Sequence, residues 1–139
     1  MGLTLIIEFN HVDIWLFSKS AHNNAITQVE LTTLIFKGKL INIVLSTAKD
    51  GFFKIWNADT RLCLSVIATG ATEATAFAYC PERSLVFVGT NKEEISILKL
   101  GEGEDSDICK VVGTVKRKNY TRCQQMCIEN NQLYLLSIM

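Results

Sequence analysis

Short apolar runs broken by turn signals recur along the whole chain. Leu40-Ile41-Asn42-Ile43-Val44-Leu45 is a near-continuous apolar stretch of strand length, and it ends at Ala48-Lys49-Asp50-Gly51. Asp-Gly is a strong hairpin signal because glycine accepts a positive φ. Phe52-Phe53-Lys54-Ile55-Trp56 then reads as the return strand. The layout recurs in Leu85-Val86-Phe87-Val88, the turn Gly89 to Glu94, and Ile95-Ser96-Ile97-Leu98. Upstream, Leu5 to Phe9 turns at Asn10-His11 into Val12-Asp13-Ile14-Trp15. Long helical periodicity is absent. The Ala-rich stretch Thr72 to Tyr79 has some helical character but is stopped by Pro81, and its neighbours favour a strand. The pattern predicts an all-β fold.

The three return strands end on Ile14-Trp15, Ile55-Trp56 and Ile97-Leu98, at intervals of 41 and 42 residues. A period of roughly 40–45 residues with four short strands per unit resembles a WD40 β-propeller blade. Such a blade is sandwiched between neighbours, so its strands are apolar on both faces rather than alternating. The resemblance implies a single partial WD40 β-propeller over residues 1–139, of three to four antiparallel blades, with units near 1–21, 22–68, 69–116 and 117–139.

Within the second unit, Ser46-Thr47-Ala48-Lys49-Asp50-Gly51-Phe52-Phe53-Lys54-Ile55-Trp56-Asn57 resembles the core of a WD40 repeat. Ser46, Asp50 and Trp56 match the family's Ser, Asp and Trp; Asn57 replaces the second residue of the Trp-Asp pair. His22 lies where the family's Gly-His dipeptide falls, with Ala21 in place of glycine, although its distance from Asp50 exceeds the usual spacing. The resemblance implies a structural hydrogen-bond network of His22, Ser46, Asp50 and Trp56. The alternative reading, a His-Ser-Asp catalytic triad, lacks an evident oxyanion loop. In the third unit Leu98 replaces Trp and Asn91 stands near the Asp position, which predicts a blade held by packing alone.

A narrower resemblance extends over residues 22 to 136. Asn24-Ala25-Ile26-Thr27-Gln28, Leu45 to Gly51, Lys54-Ile55-Trp56 and Asp59-Thr60-Arg61-Leu62-Cys63 are similar to the tandem-propeller WD40 subunits of the small-subunit processome, the family of U3 small nucleolar RNA-associated protein twelve or WD-repeat-containing protein three. In that family an acidic loop precedes a basic strand; here Glu102 to Asp107 precedes Gly113-Thr114-Val115-Lys116-Arg117-Lys118. The match covers part of the first of that family's two propellers. It implies a scaffold in ribosomal RNA maturation in the nucleus and nucleolus, with other processome WD40 subunits and U3 RNA or pre-ribosomal RNA as partners. A WD40 adaptor in another multiprotein complex is the alternative.

Composition narrows the classes further. Apolar residues make up 48% and charged residues 20% of the 139, a balance suited to a packed core rather than disorder. Fourteen basic residues offset fourteen acidic ones, so attraction to RNA must be local. Lys116, Arg117, Lys118 and Arg122, with Tyr120 among them, are the candidate RNA or partner contacts, against the plain reading of a solvated turn between two strands. The acidic segment reads as a solvated loop. No apolar stretch approaches the roughly 20 residues of a membrane helix. Met1 to Ile6 lacks the features of a signal peptide, and Ile6 stands where a myristoylation signal wants Ser or Thr, so an intracellular address is expected. The five cysteines read as reduced thiols, mostly packed as small hydrophobes. Cys123 and Cys127, four apart on a strand, are expected on one face, packed in the core. No cofactor, metal, small-molecule substrate or enzymatic role is expected.

Overall fold

The computed structural model describes residues 5–9, 12–16, 22–101, 107–116 and 122–138. Those residues form antiparallel sheets with no helix among them. Strands β3 (Ile26–Phe36), β4 (Lys39–Ala48), β5 (Phe52–Asn57) and β6 (Cys63–Ala68) make one four-stranded sheet in chain order. Strands β7 (Ala74–Cys80), β8 (Leu85–Thr90), β9 (Glu94–Leu100) and β10 (Cys109–Lys116) make a second sheet in chain order. Two hairpins flank them: β1 (Leu5–Phe9) with β2 (Val12–Leu16), and β11 (Arg122–Glu129) with β12 (Gln132–Ile138). The Ala-rich stretch before Pro81 is strand β7, buried at six of its seven positions. Its β8 partner supplies the ladder that an isolated helix would have had to supply internally.

The turns follow local chemistry. Lys37 and Gly38 both have positive φ, 51° and 76°, the geometry of a two-residue hairpin turn between Phe36 and Lys39. Asn130 and Asn131 do the same between β11 and β12, and asparagine tolerates that region. Gly51, at φ 85°, closes the β4–β5 turn, where a Cβ would drive into the carbonyl oxygen of Ala71.

The two large sheets stack face to face. Ile43, Leu45, Phe53 and Ile55 of the first pack with Phe77, Val86, Val88 and Leu98 of the second in one buried cluster. Phe53 and Phe77 meet edge to face, ring centroids 5.7 Å apart. The central strand β4 is buried on both faces from Ile43 to Ala48, which explains its unbroken apolar run. A second cluster joins Ala76, Ala78 and Ile95 to Cys123 and Met126, so β11–β12 stacks on the other face of the second sheet. The stacking order is therefore β3–β6, β7–β10, β11–β12. Val44, Trp56 and Ala58 form a third cluster on the opposite face of the first sheet.

Side chains of β3 stitch the first two sheets together. Gln28 Nε2 donates to the Phe77 carbonyl at 2.8 Å, and Gln28 Oε1 accepts from the Phe77 N–H at 3.0 Å. Thr27 Oγ1 donates to the Ala74 carbonyl at 2.7 Å. On β11 the expectation for the cysteines fails. Cys123 is fully buried and Cys127 is exposed, because the ladder to β12 shifts register between Cys123 and Gln125. An inserted residue reverses the inward–outward alternation beyond it.

Candidate functional site

The β4–β5 hairpin and the segment before β3 build a buried polar site. Ser46 and Trp56 lie on adjacent strands, with Val44 paired to Trp56 and Ser46 to Lys54, so both side chains leave the same face. Trp56 Nε1 donates to Ser46 Oγ at 3.0 Å. Ser46 Oγ lies 2.8 Å from His22 Nε2, and His22 Nδ1 lies 2.9 Å from Asp50 Oδ2 and 3.1 Å from Oδ1. Asp50 accepts two further bonds, from the Asn23 N–H at 2.9 Å and the Phe52 N–H at 3.1 Å.

The neutral imidazole gives every group in this chain a partner. Indole N–H only donates, so Ser46 accepts there and has its own O–H free to donate to His22 Nε2. That leaves Nδ1–H to donate to the Asp50 carboxylate. The neutral imidazole thus completes the chain, whereas imidazolium would leave the Ser46 hydroxyl proton without an acceptor. Burial agrees: it lowers the His22 pKa from 6.5, outweighing the opposing pull of Asp50. The 2.9 Å contact is a hydrogen bond from a neutral ring rather than an ion pair.

Ser46 is fully buried and its oxygen is already bonded to two partners, so no substrate reaches it without opening the sheet. The arrangement is suited to locking β4, β5 and the entry to β3 together. The extra residues between His22 and Asp50 are absorbed by the long β3–β4 hairpin, whose far half runs beyond the β4–β5 ladder.

The second sheet has a polar clamp that corrects the expectation of packing alone. Asn91 Nδ2 donates to Thr72 Oγ1 at 2.7 Å, and Asn91 Oδ1 accepts from the Glu73 N–H at 3.2 Å. The β8–β9 turn is thereby tied to the segment entering β7, as Asp50 ties the β4–β5 turn to the segment entering β3. Leu98 is fully buried in the core.

Of the candidate RNA contacts, Lys116 closes β10, its side chain 76% exposed and 3.9 Å from Glu94 Oε1. An exposed pair of this kind contributes about 0–1 kcal/mol and leaves the ammonium open to a competing anion. Arg122 opens β11. Arg117, Lys118 and Tyr120 lie outside the described residues, as does most of the acidic segment apart from the exposed Asp107. The base of that segment is described: the Gly101 N–H donates to the Ile108 carbonyl at 2.9 Å, and Gly101 packs on Leu34. The acidic and basic segments therefore leave opposite ends of β10, roughly 24 Å apart at strand rise. Lys116 shares its end of the molecule with the Asp50 and Asn91 turns.

Among the described residues no cluster of three His, Cys, Asp or Glu side chains is placed to hold a metal ion. No helix among the described residues is long and apolar enough to cross a membrane. No protein-family model matches the sequence, and no curated protein matches it significantly.

Proposed function

We propose that this chain is part of a WD40-type β-propeller that serves as a non-catalytic scaffold of the small-subunit processome, acting in ribosomal RNA maturation in the nucleolus. The observation that carries the scaffold reading is the unbroken chain Trp56–Ser46–His22–Asp50, set in four-stranded sheets that stack face to face. These bonds consume the polar groups that a catalytic reading would need, and they rigidify turns that can then be offered to partners. Assignment to the processome rests on the resemblance of the segments between Asn24 and Lys118. Lys116 and its neighbours are the proposed contacts for U3 RNA, pre-ribosomal RNA or other WD40 subunits.

A second reading, an adaptor in another complex, is favoured by the exposed apolar edge of β6. Leu62 just before the strand, and Leu64 and Val66 within it, are 64%, 39% and 51% exposed, a surface suited to protein rather than RNA. Affinity purification of the tagged chain discriminates between the two. Enrichment of U3 RNA and processome subunits supports the first reading; their absence alongside a different stable set of proteins supports the second.

A further inference from the structure

Among the described residues the stacked elements meet at two joints, sheet on sheet and second sheet on β11–β12. The strand registers place equivalent residues in each. β3 and β7 both carry a bulge at their second residue: Ile26 pairs with Ala48 and Gln28 with Thr47, while Ala74 pairs with Thr90 and Ala76 with Gly89. Thr75 therefore stands where Thr27 stands, Ala76 where Gln28 stands, and Gly89 where Thr47 stands. Two residues on, Ala78 opposite Phe87 takes the place of Glu30 opposite Leu45. The register of β11 shifts between Cys123 and Gln125 in the same way, so Cys123 matches Ala74 and Met126 matches Phe77.

The first joint is clamped by polar side chains. Thr27 Oγ1 accepts from Thr47 Oγ1 at 2.9 Å and donates to the Ala74 carbonyl at 2.7 Å, while Gln28 grips both backbone groups of Phe77. At the second joint the same places cannot clamp. Gly89 has no hydroxyl to offer Thr75, whose Oγ1 is buried with no hydrogen-bond partner among the described residues. Ala76 has no side-chain amide with which to grip Met126. The apolar contact is smaller too, and its contribution scales with the area buried. Ile95 and Met126 are the bulky buried members of the second cluster, whereas the first holds Phe53, Phe77, Leu45 and Leu98. Separation at the second joint would also let water reach the Thr75 hydroxyl, which then regains the bonds it lacks when closed.

We infer that the second joint is a built-in opening: β11–β12 swings off the second sheet as a unit while the two four-stranded sheets stay together. Cys123, fully buried in the closed joint, is handed to solvent in the open one.

Thiol modification of the native full chain, read residue by residue by mass spectrometry, tests this together with amide hydrogen exchange. Each rate is divided by that of the same thiol in the urea-unfolded chain. Cys123 is expected to react faster than Cys109, a member of the first cluster, by on the order of tenfold or more. Its rate should rise with urea more gently than global unfolding does, because a local opening exposes less surface. Amides over 126–135 should exchange at the free energy of Cys123 labelling, and those over 43–57 at a higher one. Thr75→Val, which deletes the orphaned hydroxyl, should leave Cys123 labelling unchanged or slow it. Equal normalised rates for Cys123 and Cys109, or Cys123 labelling with the full urea dependence of global unfolding, overturns the inference. So does fast exchange confined to 122–125, which is fraying of one strand end, and so does marked acceleration by Thr75→Val. The wild-type rates decide even if that variant fails to fold.

Discussion

The side-chain amide of Gln28 pairs with both backbone groups of Phe77, occupying on the free edge of β7 the place a further strand would take. Phe77 is fully buried, so its N–H and carbonyl have no easy recourse to water. Gln28→Ala is expected to cost about 1–3 kcal/mol in urea unfolding, the usual penalty for orphaning buried polar groups. Gln28→Glu keeps the acceptor and loses the donor, so it should also destabilise. Equal stability of all three proteins would show that water replaces the amide.

Ser46 and Trp56 are expected to be energetically coupled. Ser46→Ala strands the indole N–H and His22 Nε2 in a fully buried position, and Trp56→Phe removes the N–H together with part of the buried ring. A double-mutant cycle should return a coupling of about 0.5–3 kcal/mol. Trp56→Ala adds loss of packing, about 3–5 kcal/mol, a large share of ordinary domain stability. Additive single mutants would mean that the bond contributes nothing.

Acid is expected to loosen the fold through His22. Its folded pKa lies below the unfolded 6.5, so the unfolded state binds more protons between the two values. Stability is then fully present above pH 6.5 and is lost as pH falls toward the folded value. Glu30 acts in the opposite sense above 4.5, because burial raises its carboxyl pKa, so the titration is best run in a Glu30→Gln background. In that background His22→Gln should flatten the slope below pH 6.5. An unchanged slope would assign the acid sensitivity to another group.

Gly89 is expected to govern the docking of β11–β12. A Cβ built there would stand 2.7 Å from Cβ and Sγ of Cys123 and 2.8 Å from Cε of Met126. Gly89→Ala should therefore cost about 1–3 kcal/mol by overpacking. Hydrogen exchange should rise over 122–138 and stay unchanged over 43–57. Uniform change across both segments would argue against a locally docked hairpin.

Much of the strand layout could be read from local pattern. The hairpins at Asp50-Gly51 and at Gly89 to Glu94 declared themselves through turn chemistry between apolar runs, and the structure places strands at both. Trp56, Ser46, Asp50 and His22 are bonded in series, although the span from His22 to Asp50 departs from the spacing of the pattern. What escaped depends on partners distant in sequence. Gln28 looks like an ordinary polar strand residue until Phe77, 49 positions on, presents its backbone. The bulge separating Cys123 from Cys127 reflects the β12 ladder and has no signature in composition. Asn91 departs from an aspartate pattern in the sequence, although its amide can both donate and accept, which suits the Thr72–Glu73 segment it holds.

The β3–β4 hairpin separates His22 from Asp50 by 28 residues of chain while keeping their side chains bonded. Its two strands zip residue for residue from Gln28–Thr47 to Phe36–Lys39, so its length is free to vary in matched pairs. Homologous chains should tolerate even-numbered insertions or deletions near Lys37 and Gly38 with the imidazole–carboxylate bond intact. A single-residue indel would instead force a new turn or twist one strand out of phase.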